Sequence, residues 1–297
     1  MPWRGTTEKA PARPARLPCI ARFGRPGSYR AGSSRPATAG LNSDLAMPGA
    51  DNLKPMPDTA STDVAVIIPA RNEQARIAAT VTAATAISSL VVVVDDASRD
   101  RTAHLAREAG ALVVRRRRSH GKAAAMMTGA RAVAEFEVRN SSRNPRHLLF
   151  LDADLEHSAS AARQLVTPVC EGEADMTIAI LPPQRTTGGG HGMVVRLAKS
   201  GVRRLTGFRP AQPLSGMRCI SRQAFDAVQP LARGWGVETA LIVDILRKGY
   251  RIAEVPAEFH HRVTGRSFGA QAHRAKQFRD VAIALTIRYL RGFAGSG

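Results

Sequence analysis

The sequence predicts an α/β fold: a Rossmann-like, doubly wound and mostly parallel sheet. Three observations predict it. Val/Ile/Leu runs such as VAVIIP and LVVVV recur without polar alternation, which marks strands covered on both faces. These runs alternate with stretches carrying apolar residues at helical spacing, the pattern of strand–helix units joined by right-handed crossovers. Polar and charged residues gather just past the runs, beyond the carboxyl ends of strands, where sheets of this kind hold their ligands. With 297 residues and 44% hydrophobic side chains, the chain can build one such domain with a sizeable core.

In order, DVAVIIP (63–69) predicts a buried strand, EQARIAATVTAATA (73–86) a helix and LVVVVDD (90–96) a second strand. RDRTAHLAREAG (99–110) predicts a helix closed by Gly110, and ALVVR (111–115) a third strand. A helix over about 122–136 leads to the strand HLLFLD (147–152), a helix over about 158–170 and the strand DMTIAI (175–180). Beyond these lie a glycine loop, TTGGGHG (186–192), the amphipathic MVVRLAKSGVRRL (193–205), an apolar helix entered through GWGVETAL (234–241), and EFHHR (258–262), read as strand.

The first 62 residues read differently: nine of the 18 prolines lie there among glycine, serine and arginine, with no apolar periodicity, so a disordered tail is expected. The tail lacks the apolar centre of a secretory signal, although an Arg-rich, acid-poor segment also resembles an organellar transit peptide. The expected organisation is therefore a tail over 1–62, a single domain over 63–270 and a C-terminal helix and tail over 271–297.

The net charge of +19 points to anionic partners: nucleotide phosphates, phosphorylated metabolites, nucleic acid or acidic lipid. RRRR (115–118) has no interleaved aromatics, which argues against a nucleic-acid patch and leaves a solvated strand exit or a collar for anionic substrate. The three cysteines have no metal-ligand spacing and are odd in number, so neither a zinc site nor a disulfide framework is expected, and the default compartment is the cytoplasm. No apolar run reaches the roughly 18 residues of a membrane span, so at most peripheral membrane contact is expected.

Four strand tips carry the candidate chemistry: PARNE, DDASRD, SHGK and DADLEH. Asp152 and Asp154 flank one small residue at a strand end, where two hard carboxylates can turn toward one point and suit Mg²⁺ or Mn²⁺. Asp95 and Asp96 end the second strand; one carboxylate can accept from ribose hydroxyls or a base N–H while the other caps the following helix, and Asp96 is open to either role. Lys122 follows Gly121 at a helix start, a favourable place for a diphosphate. Glu238 stands in a first helical turn, as a functional carboxylate or as a helix-start acid.

In order and spacing, VIIPARNE, VVVVDDASRDRT, GKAAAMMTGA and LDADLEH resemble the nucleotide-binding half of the GT-A glycosyltransferases of family 2 type. TGGGHGMVVRLA, PLSGMRCISRQAF, GWGVETALIVDILRKGYRIAEVP and HHR are similar to the UDP-glucose-dependent glucosyl-3-phosphoglycerate synthases of that group. The resemblance implies a GT-A domain that moves a sugar from a nucleotide sugar to a small phosphorylated acceptor with Mg²⁺ or Mn²⁺, and a homodimer is compatible with it. By resemblance, Pro69, Glu73, Asp95, Asp96, Lys122 and Asp152 face the nucleotide sugar, and Asp152, Asp154 and His261 hold the metal. Asp154 and Glu238 are then the catalytic carboxylates, and Gly189, Gly190, His191 and Arg262 bind the acceptor. Two departures stand out: Arg71 where many relatives have an aromatic or small residue, and His191 where the synthases carry an arginine after the three glycines. LDADLEH also resembles polyprenyl-phosphate mannosyl synthases, for which Glu156 would replace His261 as the third ligand. A nucleotidyltransferase would carry a glycine- and lysine-rich loop after the first strand, and PARNEQ contains no glycine. An RNA-binding protein is supported by charge alone.

Overall fold

The computed structural model describes residues 61–142, 144–182, 192–259 and 268–294. Its centre is a seven-stranded sheet made of β1 (Ser61–Ala70), β2 (Ser88–Asp95), β3 (Leu112–Arg115), β4 (His147–Phe150), β5 (Met176–Ile180), β6 (Arg218–Ile220) and β7 (Ile252–Pro256). The strand order is β3-β2-β1-β4-β6-β5-β7. β6 alone runs antiparallel, against β4 on one side and β5 on the other, and the remaining pairings are parallel.

Helices α1 (Ile77–Thr85), α2 (Thr102–Glu108), α3 (Lys122–Arg139), α4 (Arg163–Cys170), α5 (Met193–Thr206), α6 (Arg222–Ala227), α7 (Val237–Arg247) and α8 (Phe268–Ala294) connect and cover the strands. The strands have apolar residues on both sides because both faces are buried. Val64, Val66 and Ile68 of β1 join Ile77 and Val81 of α1 and Leu165 of α4 in one layer, while Ala65 and Ile67 join Met126 of α3, Val202 of α5, Leu241 of α7 and Leu285 of α8 in the other. The period of two along one strand thus divides a continuous apolar run between two cores.

Several boundaries differ from the sequence expectation, each for a local reason. α1 begins at Ile77 rather than 73, because the backbone N–H groups of Asn72, Glu73 and Gln74 donate to side chains of the tip after β2 instead of entering a helix. The helix expected from 158 is a 3₁₀ turn (Glu156–Ala162) that passes into α4 at Arg163. β7 ends at Pro256, so Glu258 and Phe259 are not strand residues, and His260, His261 and Arg262 lie outside the described residues. The expected tail over 1–62 lies outside them as well, apart from the start of β1 at Ser61. α8 crosses the expected boundary at 270, and its residues Val281, Ala284 and Leu285 are buried, so this helix belongs to the domain it was expected to follow.

α3 packs closely on the sheet at Gly129. A Cβ there would lie 2.4 Å from Cγ2 of Ile67 and 3.2 Å from Cγ2 of Val94. Gly129→Ala should gain about 1 kcal/mol in helix propensity and lose more to overpacking, which costs about 1–3 kcal/mol against a fully buried branched neighbour. Net destabilisation in urea titration is the expected result, and a stabilised variant would show that the contact relaxes freely.

Candidate active site

The two tips at the first and second strand ends are stapled together. Asn72, at φ 56°, donates its backbone N–H to Ser98 Oγ at 2.9 Å, and its Oδ1 accepts from the Arg99 backbone at 2.9 Å. Glu73 N donates to Thr102 Oγ1 at 2.8 Å, Gln74 N to Asp100 Oδ2 at 3.2 Å, and Gln74 Oε1 accepts from Arg101 N at 3.1 Å. Asp100 also accepts from the Thr102 N–H at 3.0 Å, and these hydrogen bonds hold its carboxyl below the usual range despite some burial. Pro69, half-buried at the end of β1, and Glu73 therefore stand on a rigid base.

Asp95 and Asp96 divide their work differently from a simple cap and ligand. Asp95 is fully buried; its Oδ1 caps the Ser98 N–H at 2.9 Å and its Oδ2 lies 3.3 Å from Nε of Arg115. Asp96 accepts from Ser119 Oγ at 2.6 Å and from the Gly121 N–H at 3.2 Å, and pairs with Arg116 at 3.0 Å. It thereby ties the 116–121 turn to the sheet edge, and Gly121, at φ 82°, turns the chain into α3. Arg115 and Arg116 are consequently partners of buried carboxylates, and the four-arginine run is a solvated exit in its second half alone, where Arg117 and Arg118 are exposed.

That turn delivers Lys122, the first residue of α3, to the acidic edge. Its ammonium lies 2.6 Å from Asp152 Oδ1 and 3.2 Å from Glu238 Oε1. Burial pulls the lysine pKa down, but Asp152 and Glu238 more than offset this and hold it above the ordinary lysine value. Asp152 follows β4 with about a quarter of its side chain accessible, and Glu238 is 4% exposed in the first turn of α7. Asp154, two residues on, is half-buried and also has an interaction within the structure.

Two further residues complete the arrangement, and the sequence reading did not single them out. Gly216 leaves space: a Cβ would sit 2.4 Å from Lys122 Nζ and 2.7 Å from Asp152 Oδ1. Arg218, on β6, is fully buried and donates to the Glu238 carbonyl at 3.0 Å and to the Ser215 carbonyl at 2.5 Å. Burial pushes its guanidinium down to about 10, against the upward pull of Glu238 and Asp152. It ties the Ser215–Gly216 loop to the start of α7. The available signal was an arginine within the short apolar stretch MRCI, but its partners are far away in sequence.

The structure thus brings Asp152, Glu238 and Lys122 together and places Asp154 on the same turn as Asp152. Asp95, Asp96, Pro69 and Glu73 sit on the adjoining tips. Gly189, Gly190, His191, His261 and Arg262 lie outside the described residues. Among the described residues no group of three His, Cys, Asp or Glu could hold a metal ion. Asp152 and Asp154 nevertheless fit two positions of a hard-cation site, since both are carboxylates and Lys122 contacts one oxygen of Asp152, Oδ1. Glu156 is directed elsewhere: it is exposed, and its Oε1 pairs with Arg76 at 3.1 Å.

A mostly parallel, Rossmann-like sheet with carboxylates grouped past β2 and β4 and an antiparallel β6 inserted beside β4 is the GT-A architecture. Residues 65–219 match the family described as Glycosyl transferase family 2, and the chain belongs to that family. Glycosyltransferase AglJ of Haloferax volcanii is 30% identical over 182 residues, which cover 59% of this chain and 55% of that protein, so the match spans about half of the relative's length. An uncharacterised protein of Methanocaldococcus jannaschii is 25% identical over 207 residues, 65% of this chain and 80% of its own. Among solved structures, glucosyl-3-phosphoglycerate synthase of Mycobacterium tuberculosis in complex with Mn²⁺, UDP and glucosyl-3-phosphoglycerate superposes with a TM-score of 0.62 at 25% identity, covering 77% of this chain and 80% of that one. The same enzyme has been solved with Mn²⁺, UDP-glucose and glycerol 3-phosphate, again at a TM-score of 0.62.

The open space over Gly216 gives a direct test of the lysine bridge. In Gly216→Ala the new methyl group would lie 2.4 Å from Lys122 Nζ and 2.7 and 2.8 Å from the two carboxylate oxygens of Asp152, so the Lys122–Asp152 contact cannot persist as it stands. A folded protein with a lowered melting temperature and glycosyl transfer reduced roughly a hundredfold is expected, the scale of a lost charge-assisted contact of about 3 kcal/mol. Unchanged transfer would remove Lys122 from the working site.

Proposed function

We propose that this protein is a metal-dependent glycosyltransferase that moves a hexosyl group, glucose from UDP-glucose, to a small phosphorylated acceptor of the 3-phosphoglycerate type. The observation that carries the reading is the buried bridge of Lys122 to Asp152 and Glu238 past β4, next to Asp154. Asp152 and Asp154, with His261, would hold Mg²⁺ or Mn²⁺, which when bound supplies Lewis-acid stabilisation of the departing diphosphate. Pro69, Glu73 and the Asp95–Asp96 tip orient the nucleoside. Lys122 keeps Asp152 and Glu238 in one fixed geometry and adds positive charge where the leaving phosphate becomes more negative. Glu238 positions the acceptor hydroxyl against the sugar; the bond from C1 to the β-phosphate oxygen breaks, a bond from C1 to the acceptor oxygen forms, and the acceptor's proton ends on the released diphosphate. Gly189, Gly190, His191 and Arg262 would receive the acceptor phosphate, and the resemblance to the synthases supports attack from the departing side. The ion pair of Glu156 with Arg76 favours this reading over a polyprenyl-phosphate acceptor with Glu156 as ligand.

The test is release of UDP or GDP by the purified chain with Mg²⁺ or Mn²⁺ and a panel of nucleotide sugars, with and without 3-phosphoglycerate. UDP release from UDP-glucose that depends on the acceptor supports the reading, and absence of release from every donor overturns it. Asp154→Asn should abolish transfer without lowering the melting temperature; near-normal turnover of that variant in the presence of a chelator would refute the metal site. His191 stands where the synthases carry an arginine, and a histidine of ordinary pKa is mostly neutral at pH 7. His191→Arg should therefore lower the KM for 3-phosphoglycerate by about 10 to 150-fold, the equivalent of one charge-assisted contact. A micromolar KM in the wild type, unaltered by the substitution, would show that other groups bind the phosphate.

A further inference from the structure

The outer side of α8 carries a feature that the transfer reaction does not use. Ile283, Ile287 and Leu290 are 51%, 40% and 61% exposed, and their spacing of four and three residues sets them in one stripe along the helix. The buried side of the same helix is formed by Val281, Ala284, Leu285 and Arg288, so the exposed stripe is not the core-facing one. Beside it, Ile283 and Ile287 form the apolar wall of a groove of 480 Å³ that also takes in Leu231, Arg233, Arg279 and Arg291. The groove's one acid, Asp280, is already engaged by the Trp235 N–H at 3.2 Å and by Arg279 at 3.0 Å.

We propose that this face docks the protein on an anionic lipid bilayer, with the aliphatic stripe entering the acyl boundary and Arg233 and Arg291 meeting headgroup phosphates. Charge complementarity selects this occupant. A second copy of the chain meeting the face about a two-fold axis would bring arginine against arginine with no free acid between them. Single-stranded nucleic acid is held by aromatic stacking, whereas the centre of this stripe is isoleucine and leucine. Exposed aliphatic side chains flanked by arginine are the composition of an interfacial helix, and each nearby basic residue adds attraction to an anionic leaflet. No helix among the described residues is long and apolar enough to cross a membrane, so the contact would be peripheral.

The experiment is sedimentation of the full-length protein with vesicles of phosphatidylcholine alone and of phosphatidylcholine mixed with phosphatidylglycerol, for wild type and Ile283→Ser/Ile287→Ser. The serine variant leaves every charge in place, so it separates the built face from the general basic charge. Wild type should bind the anionic vesicles alone, and the variant should bind them roughly tenfold or more weakly with an unchanged melting temperature. Leu290→Ser, at the most exposed position, gives the same comparison should the double variant fail to fold. Equal binding by wild type and variants, or no binding to either vesicle, overturns the proposal. So does a wild-type mass in solution that falls from dimer to monomer on the serine substitutions, which would identify the occupant as a second copy. The transfer assay uses soluble substrates, so neither result bears on the proposed reaction.

Discussion

Everything at the carboxyl edge of this sheet depends on one ammonium. Lys122 bridges Asp152 at 2.6 Å and Glu238 at 3.2 Å, which joins the start of α3, the turn after β4 and the start of α7. Buried carboxylates at a strand end carry a desolvation cost that only close partners and hydrogen bonds offset. Here two cations serve as partners, Lys122 through its ion pairs and the buried Arg218 through its field. Arg218 also acts through the backbone, taking the carbonyls of Glu238 and Ser215, so the acidic edge is held by fixed main chain as well as by charge. Gly216 then follows from the same constraint, since any side chain there would occupy the space of the lysine bridge.

On the neighbouring edge, hydrogen bonds between loops join the buried carboxylates of Asp95 and Asp96 in setting the geometry. Ser98, Asp100 and Thr102 accept from the backbone after β1, and Asn72 and Gln74 accept in return from the backbone after β2. Each such bond contributes about 1 kcal/mol, but their placement matters more than their sum: two loops that would otherwise move separately become one surface. The residues resembling nucleoside contacts, Pro69 and Glu73, are on this surface. The polar density of PARNEQ and DASRDRT is in large part the means by which the two tips recognise each other.

Legibility in the sequence followed the range of the interactions. The first five strands and the helices between them could be read because each is set by its own apolar pattern, and the D-x-D turn could be placed because it ends such a strand. The start of α1 was misjudged by four residues because side chains about 26 positions away, Ser98 and Asp100, compete for its first backbone donors. β6 is three residues long and antiparallel, and its place between β4 and β5 is decided entirely by distant partners. Arg218 was missed for that reason: a buried arginine is intelligible only beside the carbonyls and acids that surround it. The terminal helix has apolar residues on two faces, one packed on α5 and α7 and one exposed, and which of the two meets the domain is decided by those distant helices.

A net charge of +19 suggests a surface that attracts anions, yet several of the arginines are engaged by acids within the fold. Arg115 and Arg116 meet Asp95 and Asp96, Arg222 forks onto both oxygens of Glu137 at 3.1 and 3.2 Å, and Arg288 holds Asp244 through its Nε at 2.8 Å. Planar, bidentate guanidinium groups are well suited to such buried acids, where a lysine would satisfy fewer acceptors. These arginines are therefore architectural and are neutralised locally. Other arginines reach solvent, and along the groove beside the aliphatic stripe of α8 the exposed Arg233 and Arg291 join Arg279, which is paired with Asp280. Total charge therefore tells little about partners until the internal pairs are removed from it, because an arginine already held by a buried acid offers an anion nothing.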